Sequence, residues 1–82
     1  MKAAVVYSKE GAASLRILIV SKYPLLDQAD MIKGLERYQA LLPTTPEGQA
    51  HSRKIDDLKT MSLDTMKEQF EIISTQFLAT LP

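Results

Sequence analysis

The 82 residues carry 10 Lys and Arg against 10 Asp and Glu, so the formal net charge is +0, and cysteine is absent. Neutrality argues against a dedicated nucleic-acid binder, whose affinity rests on clustered cations that neutralise phosphates. The lack of thiols removes disulfides, thiolate zinc sites and cysteine nucleophiles.

A chain of this length makes one small helical domain, residues 1–82, with a single core and little burial to spare. Self-association or attachment to a larger protein would supplement it. The hydrophobic content of 45% and charged content of 24% are those of a globular chain and not of a disordered one. No membrane span is expected, since the run from Leu15 to Val20 is far too short to cross a bilayer. The opening MKAAVVYSKEGAAS makes a poor signal peptide. The sequence therefore suits a cytoplasmic protein, or a periplasmic one whose targeting segment has been removed.

Lys2 to Tyr23 supports two readings. As strands, AAVVYS and SLRILIVS form a β-hairpin with Gly11 in the turn. As a helix, Ser8 caps, Glu10 lies in the first turn, and Ala12, Leu15, Ile19 and Tyr23 share one side until Pro24. The helix is preferred because the downstream sequence is helical and a two-stranded hairpin is marginal alone. Leu15, Ile17, Leu18, Ile19 and Val20 are apolar almost all round a helix, which predicts a central, well-buried element.

A second helix is expected from about Asp27, its cap, to Leu42, where Pro43 ends it. Met31, Ile32, Leu35, Tyr38, Leu41 and Leu42 form its stripe. Gly34 weakens the interior by roughly 1 kcal/mol relative to Ala, and reads either as tolerated or as a point of close approach. Thr45 as cap, Pro46 at the first position and Glu47 in the first turn start a third helix, to about Lys59. Ala50, Ile55, Leu58 and Met61 make its narrow apolar seam, with His51 beside it.

The clearest helix runs from Ser62 to Leu81. Leu63, Met66, Phe70, Ile73, Phe77 and Leu81 recur every three or four residues, and Asp64, Lys67, Glu68, Glu71 and Gln76 occupy the other face. Short junctions make neighbouring helices antiparallel. The fold class is all-α, an antiparallel bundle of three to four helices.

Few residues offer chemistry. His51, the sole histidine, titrates near neutrality and suits a metal ligand or proton carrier; the plainer reading is a partly buried residue at a stripe's edge. Met31, Met61 and Met66 offer thioethers suited to Cu(I), yet thioethers on apolar faces are ordinary core filler. Asp56 with Asp57 and Glu68 with Glu71 read as solvated acids. Arg53, Lys54 and Lys59 form only a sparse basic edge. Ser52, Ser62 and Ser74 lack an activating arrangement, and no phosphate loop or zinc-protease motif is present, so no enzyme is expected. Tyr7, Tyr23 and Tyr38 are either partner anchors or rim residues with the hydroxyl in water.

One resemblance lies in the second half: His51 after a Pro-containing turn (TTPEGQAH), Leu58, and then LDTMKEQFEIISTQF. This resembles the small helical-bundle domain of unknown function found in bacterial copper and heavy-metal efflux adaptor proteins and in related periplasmic proteins. Lys67, Phe70, Ile73, Ser74 and Phe77 fit its last helix, with Lys67 where Arg is usual. The resemblance implies a noncatalytic accessory domain of copper or silver export. It also implies His51, Met61 and Met66 as contacts for Cu(I) or Ag(I). The alternative is a small cytosolic protein–protein interaction module, a regulator or inhibitor of bacterial or phage type, acting through a helix face as a homodimer. In both, a protein partner or a second copy is expected. A helix-turn-helix DNA binder is disfavoured by the neutral charge.

Overall fold

Three helix starts follow from a side-chain oxygen that accepts an otherwise unpaired backbone N–H of the first turn. Asp27 accepts from Asp30 at 2.8 Å, Thr45 from Gly48 at 3.1 Å and Ser62 from Thr65 at 3.4 Å. The computed structural model describes residues 9–81, in which these starts open α2 (Gln28–Gln39), α3 (Pro46–Leu58) and α4 (Leu63–Ala79). They are preceded by α1 (Lys9–Ser21) and a 3-10 turn, Tyr23–Leu25. The chain is an all-α antiparallel bundle, and no strand occurs among the described residues.

The helical reading of the N-terminal segment holds from Lys9 onward, and SLRILIVS is helical, not a strand. The other half of the alternative hairpin, AAVVYS, and the Ser8 cap lie outside the described residues. A lone ribbon would leave the apolar side of Ala12 and Ile19 without cover, whereas α1 lays both into the core.

The expectation of a central first helix is corrected. α1 contacts α2 and α4, so it lies on a flank and only one face is covered. Ala12 and Ile19 are buried, while Ile17 is 63% and Leu18 is 48% exposed. Arg16 fixes that orientation. Its Nε donates to Ser74 Oγ at 2.7 Å, and its Nη2 donates to Thr75 Oγ1 at 2.7 Å and to the Glu71 carbonyl at 3.3 Å. A guanidinium in the middle of an apolar run must find acceptors, and meeting them on α4 turns Ile17 and Leu18 outward.

α4 is the element against which α1, α2 and α3 all pack. Its buried side is Met66, Phe70, Ser74, Phe77 and Leu78, close to the predicted stripe. Tyr38, Phe70, Met31, Leu35, Ile55 and Met66 are the largest fully buried side chains. Burying each such apolar side chain stabilises by about 1.5–3 kcal/mol relative to exposure.

Two polar links hold the connectors down. The Tyr23 hydroxyl donates to the Lys67 carbonyl at 3.0 Å, and Lys67 Nζ donates back to the Tyr23 carbonyl. Lys67, the basic residue of the motif read from the sequence, therefore anchors the α1–α2 connector on α4. Gln28 Nε2 donates to the Met61 carbonyl at 3.2 Å, tying the start of α2 to the α3–α4 junction.

The two glycines inside α2 and α3 differ. A Cβ on Gly34 would meet Ile19 Cγ1 and Cδ1 at 3.4 Å, the near edge of ordinary contact. A Cβ on Gly48 would lie 2.1 Å from the Pro43 carbonyl oxygen. Close approach is required at Gly48, and at Gly34 it is not.

Candidate functional site

His51 is positioned by the turn that precedes it. α2 ends at Gln39 with Ala40 as its cap, three residues short of the expected end at Leu42 before Pro43; Thr45 caps α3, and Gly48 lets the first turn of α3 close on the Pro43 carbonyl. One turn later His51 points into the bundle, and its Nε2 shares a 2.9 Å hydrogen bond with the Tyr38 hydroxyl. The imidazole is stacked on Phe77, with centroids 4.2 Å apart and planes 7° from parallel. Tyr38 in turn stands edge-on to Phe70, 5.0 Å away at 89°. The histidine and three rings from α2 and α4 thus form one aromatic cluster.

Burial penalises the imidazolium, and Lys54 adds like-charge repulsion, so the His51 pKa falls from 6.5 to about 4. Burial likewise pushes the Tyr38 hydroxyl upward, against a smaller opposing effect of Arg16. Near neutral pH both groups are therefore uncharged, and the bond between Nε2 and the hydroxyl joins two neutral buried groups.

The lowered pKa has a signed consequence. The unfolded chain protonates near 6.5 and the folded one near 4, so the contribution is fully present above 6.5 and is lost as pH falls toward 4. The lost stability should reach about 2 kcal/mol by pH 5. Urea unfolding at pH 7 and pH 5 checks this, with His51→Gln as the control in which that slope disappears. Equal slopes in both proteins would show that His51 does not govern it.

The residues implied as soft-metal contacts do not come together. Met61 lies beyond the far end of α3, ten residues after His51, and the rise along that helix sets them about 15 Å apart. Met66 is fully buried near the start of α4, eleven residues before the Phe77 ring that covers His51, again about 16 Å of helix. Antiparallel packing of α3 and α4 puts both sulfurs at the end of the hairpin opposite the imidazole. Among the described residues no group of three or more His, Asp or Glu side chains is placed to hold a metal ion.

The other singled-out side chains have structural partners. Ser74 accepts from Arg16, Ser62 caps α4, and Ser52 accepts from Gln39 Nε2, which also donates to Asp56 at 2.8 Å. Those bonds from Gln39 and Lys59 hold the Asp56 carboxyl below its ordinary pKa. The tyrosine hydroxyls expected in water are not there: Tyr38 is engaged by His51 and Tyr23 by the Lys67 carbonyl. Tyr7 lies outside the described residues.

A different surface is exposed and has no partner among the described residues. Between α1 and α2 runs a groove of about 220 Å³, floored by Leu15, Leu18, Ile19 and Leu26. Its rim carries Lys22, Lys33 and Arg37 with one acid, Asp30. Gly34 opens its floor, and just before Leu26 the side chain of Leu25 is 83% exposed. The groove is not legible in the apolar run of α1, whose composition alone assigns it to the core. The signal that could have found it is Arg16, whose charge divides the run into a covered and an uncovered side. No helix among the described residues is long and apolar enough to cross a membrane. Comparisons with family models, with curated proteins and with solved structures found no match.

Proposed function

We propose that this protein is a noncatalytic interaction module that self-associates through the α1–α2 surface. The observation that carries the reading is a basic-rimmed apolar groove lined by the outward Leu18, with a second outward leucine, Leu25, on the connector that leads to Leu26. Contiguous exposed apolar surface of this kind marks an interaction site. Net neutrality favours a second copy as the occupant, since like molecules then approach without long-range repulsion. His51, the residue best suited to chemistry, is committed to Tyr38 and Phe77 inside the core, which supports a holding role over a catalytic one.

Sedimentation equilibrium from micromolar to millimolar protein tests the reading. Reversible association is expected, and Leu18→Glu with Leu25→Glu should abolish it while leaving the urea midpoint nearly unchanged, because neither side chain belongs to the core. A wild-type protein that stays monomeric across that range would overturn self-association.

A further inference from the structure

The groove has a counterpart on the same molecule. On the side of α4 away from Met66, Phe70 and Phe77, Ile72 is 46% exposed and is bordered by Glu68 and Glu71. This outer face is a strip that carries two carboxylates beside one exposed aliphatic side chain, with the Arg16 guanidinium at its edge on Thr75, while the α1–α2 groove is an apolar slot whose rim is mainly basic. The chemistries match: an exposed aliphatic side chain suits a floor of leucines, and the carboxylates beside it suit Lys22, Lys33 and Arg37. Asp30 is the single rim residue of the wrong sign.

We infer that the second copy enters with its α4 outer face, seating Ile72 in the α1–α2 groove and pairing Glu68 and Glu71 with the basic rim. This rests on the self-association reading above and specifies its geometry. Groove and strip lie on different sides of α1: the strip borders its Arg16 side, where Nη2 reaches Thr75 and the Glu71 carbonyl, and the groove its Leu15, Leu18 and Ile19 side. The contact is therefore head-to-tail, and each added copy presents a fresh groove and a fresh strip. Association should run past the dimer with rising concentration, and high salt should weaken it as the rim charges are screened.

Two charge-reversed proteins test the pairing. The first carries Lys33→Glu and Arg37→Glu, giving an acidic groove beside the natural acidic strip. The second carries Glu68→Lys and Glu71→Lys, giving a basic strip beside the natural basic groove. Each alone should associate at least about tenfold more weakly than the unmodified chain, a change of about 1.4 kcal/mol per tenfold. An equimolar mixture should regain association, since every groove then meets a strip of opposite sign. Thermal unfolding confirms that each variant folds, and Ile72→Ser, which changes no charge, should weaken association in the same assay. Association that persists in the reversed proteins, that stops at a dimer, or that mixing fails to restore would overturn the head-to-tail pairing and leave self-association standing. A monomeric wild type would remove both.

Discussion

Gly48→Ala should destabilise the protein by about 3 kcal/mol or more, far beyond the usual effect of one added methyl group on a helix. Ala is ordinarily the better helix former by nearly 1 kcal/mol. Here the new carbon would sit 2.1 Å from the Pro43 carbonyl oxygen, with the Pro43 carbonyl carbon and ring Cγ at 3.0 Å. Nothing flexible can step aside, since the nearest atom is backbone. Relief requires the first turn of α3 to lift from the connector, which draws His51 out of reach of Tyr38. Gly34→Ala is the internal comparison: its methyl would meet only the end of Ile19 at 3.4 Å, so the propensity gain should survive. Urea unfolding of the two variants should place them on opposite sides of wild type. A stable Gly48→Ala protein would mean that Gly48 and Pro43 are not in close contact.

Phe70→Ala should cost about 3–5 kcal/mol, the range for emptying a buried aromatic position. Phe70 is fully buried at the middle of α4 and presents itself to the edge of Tyr38. Its loss opens a cavity where α2 and α4 meet, and it removes one support of the Tyr38–His51 pair. For a domain whose total stability is on the order of 5–15 kcal/mol, that is a large fraction. The readout is the urea midpoint together with the near-ultraviolet dichroism of tyrosine, which should collapse if Tyr38 loses its fixed setting. A cost below about 1 kcal/mol would mean that α4 is not the central element.

Much of this architecture was legible from local chemistry. Asp27, Thr45 and Ser62 announce three helix starts through side chains that accept backbone N–H groups, and all three do so. The period of Met66, Phe70 and Phe77 identified the buried side of α4. What escaped was information carried by contacts distant in the chain. Arg16 binds residues more than fifty positions away, and only that link decides which side of α1 is covered. The apolar run therefore looked central and proved to be a flank. The spacing places His51 at the edge of a stripe, but its pairing with Tyr38 depends on the turn at residues 43–48, which sequence periodicity does not encode. The methionines illustrate the converse: as residue types they suit a soft metal, but about 15 Å of helix and junction stand between them and the imidazole.

The exchange between Tyr23 and Lys67 clamps the connector that follows α1 onto α4. Each residue gives its side-chain proton to the other's main-chain oxygen, so the two bonds share one geometry and fail together. With Arg16 bonded to Ser74 and Thr75, the wall that α1 lends to the slot is pinned to α4 both before Leu18 and, at Tyr23, after it.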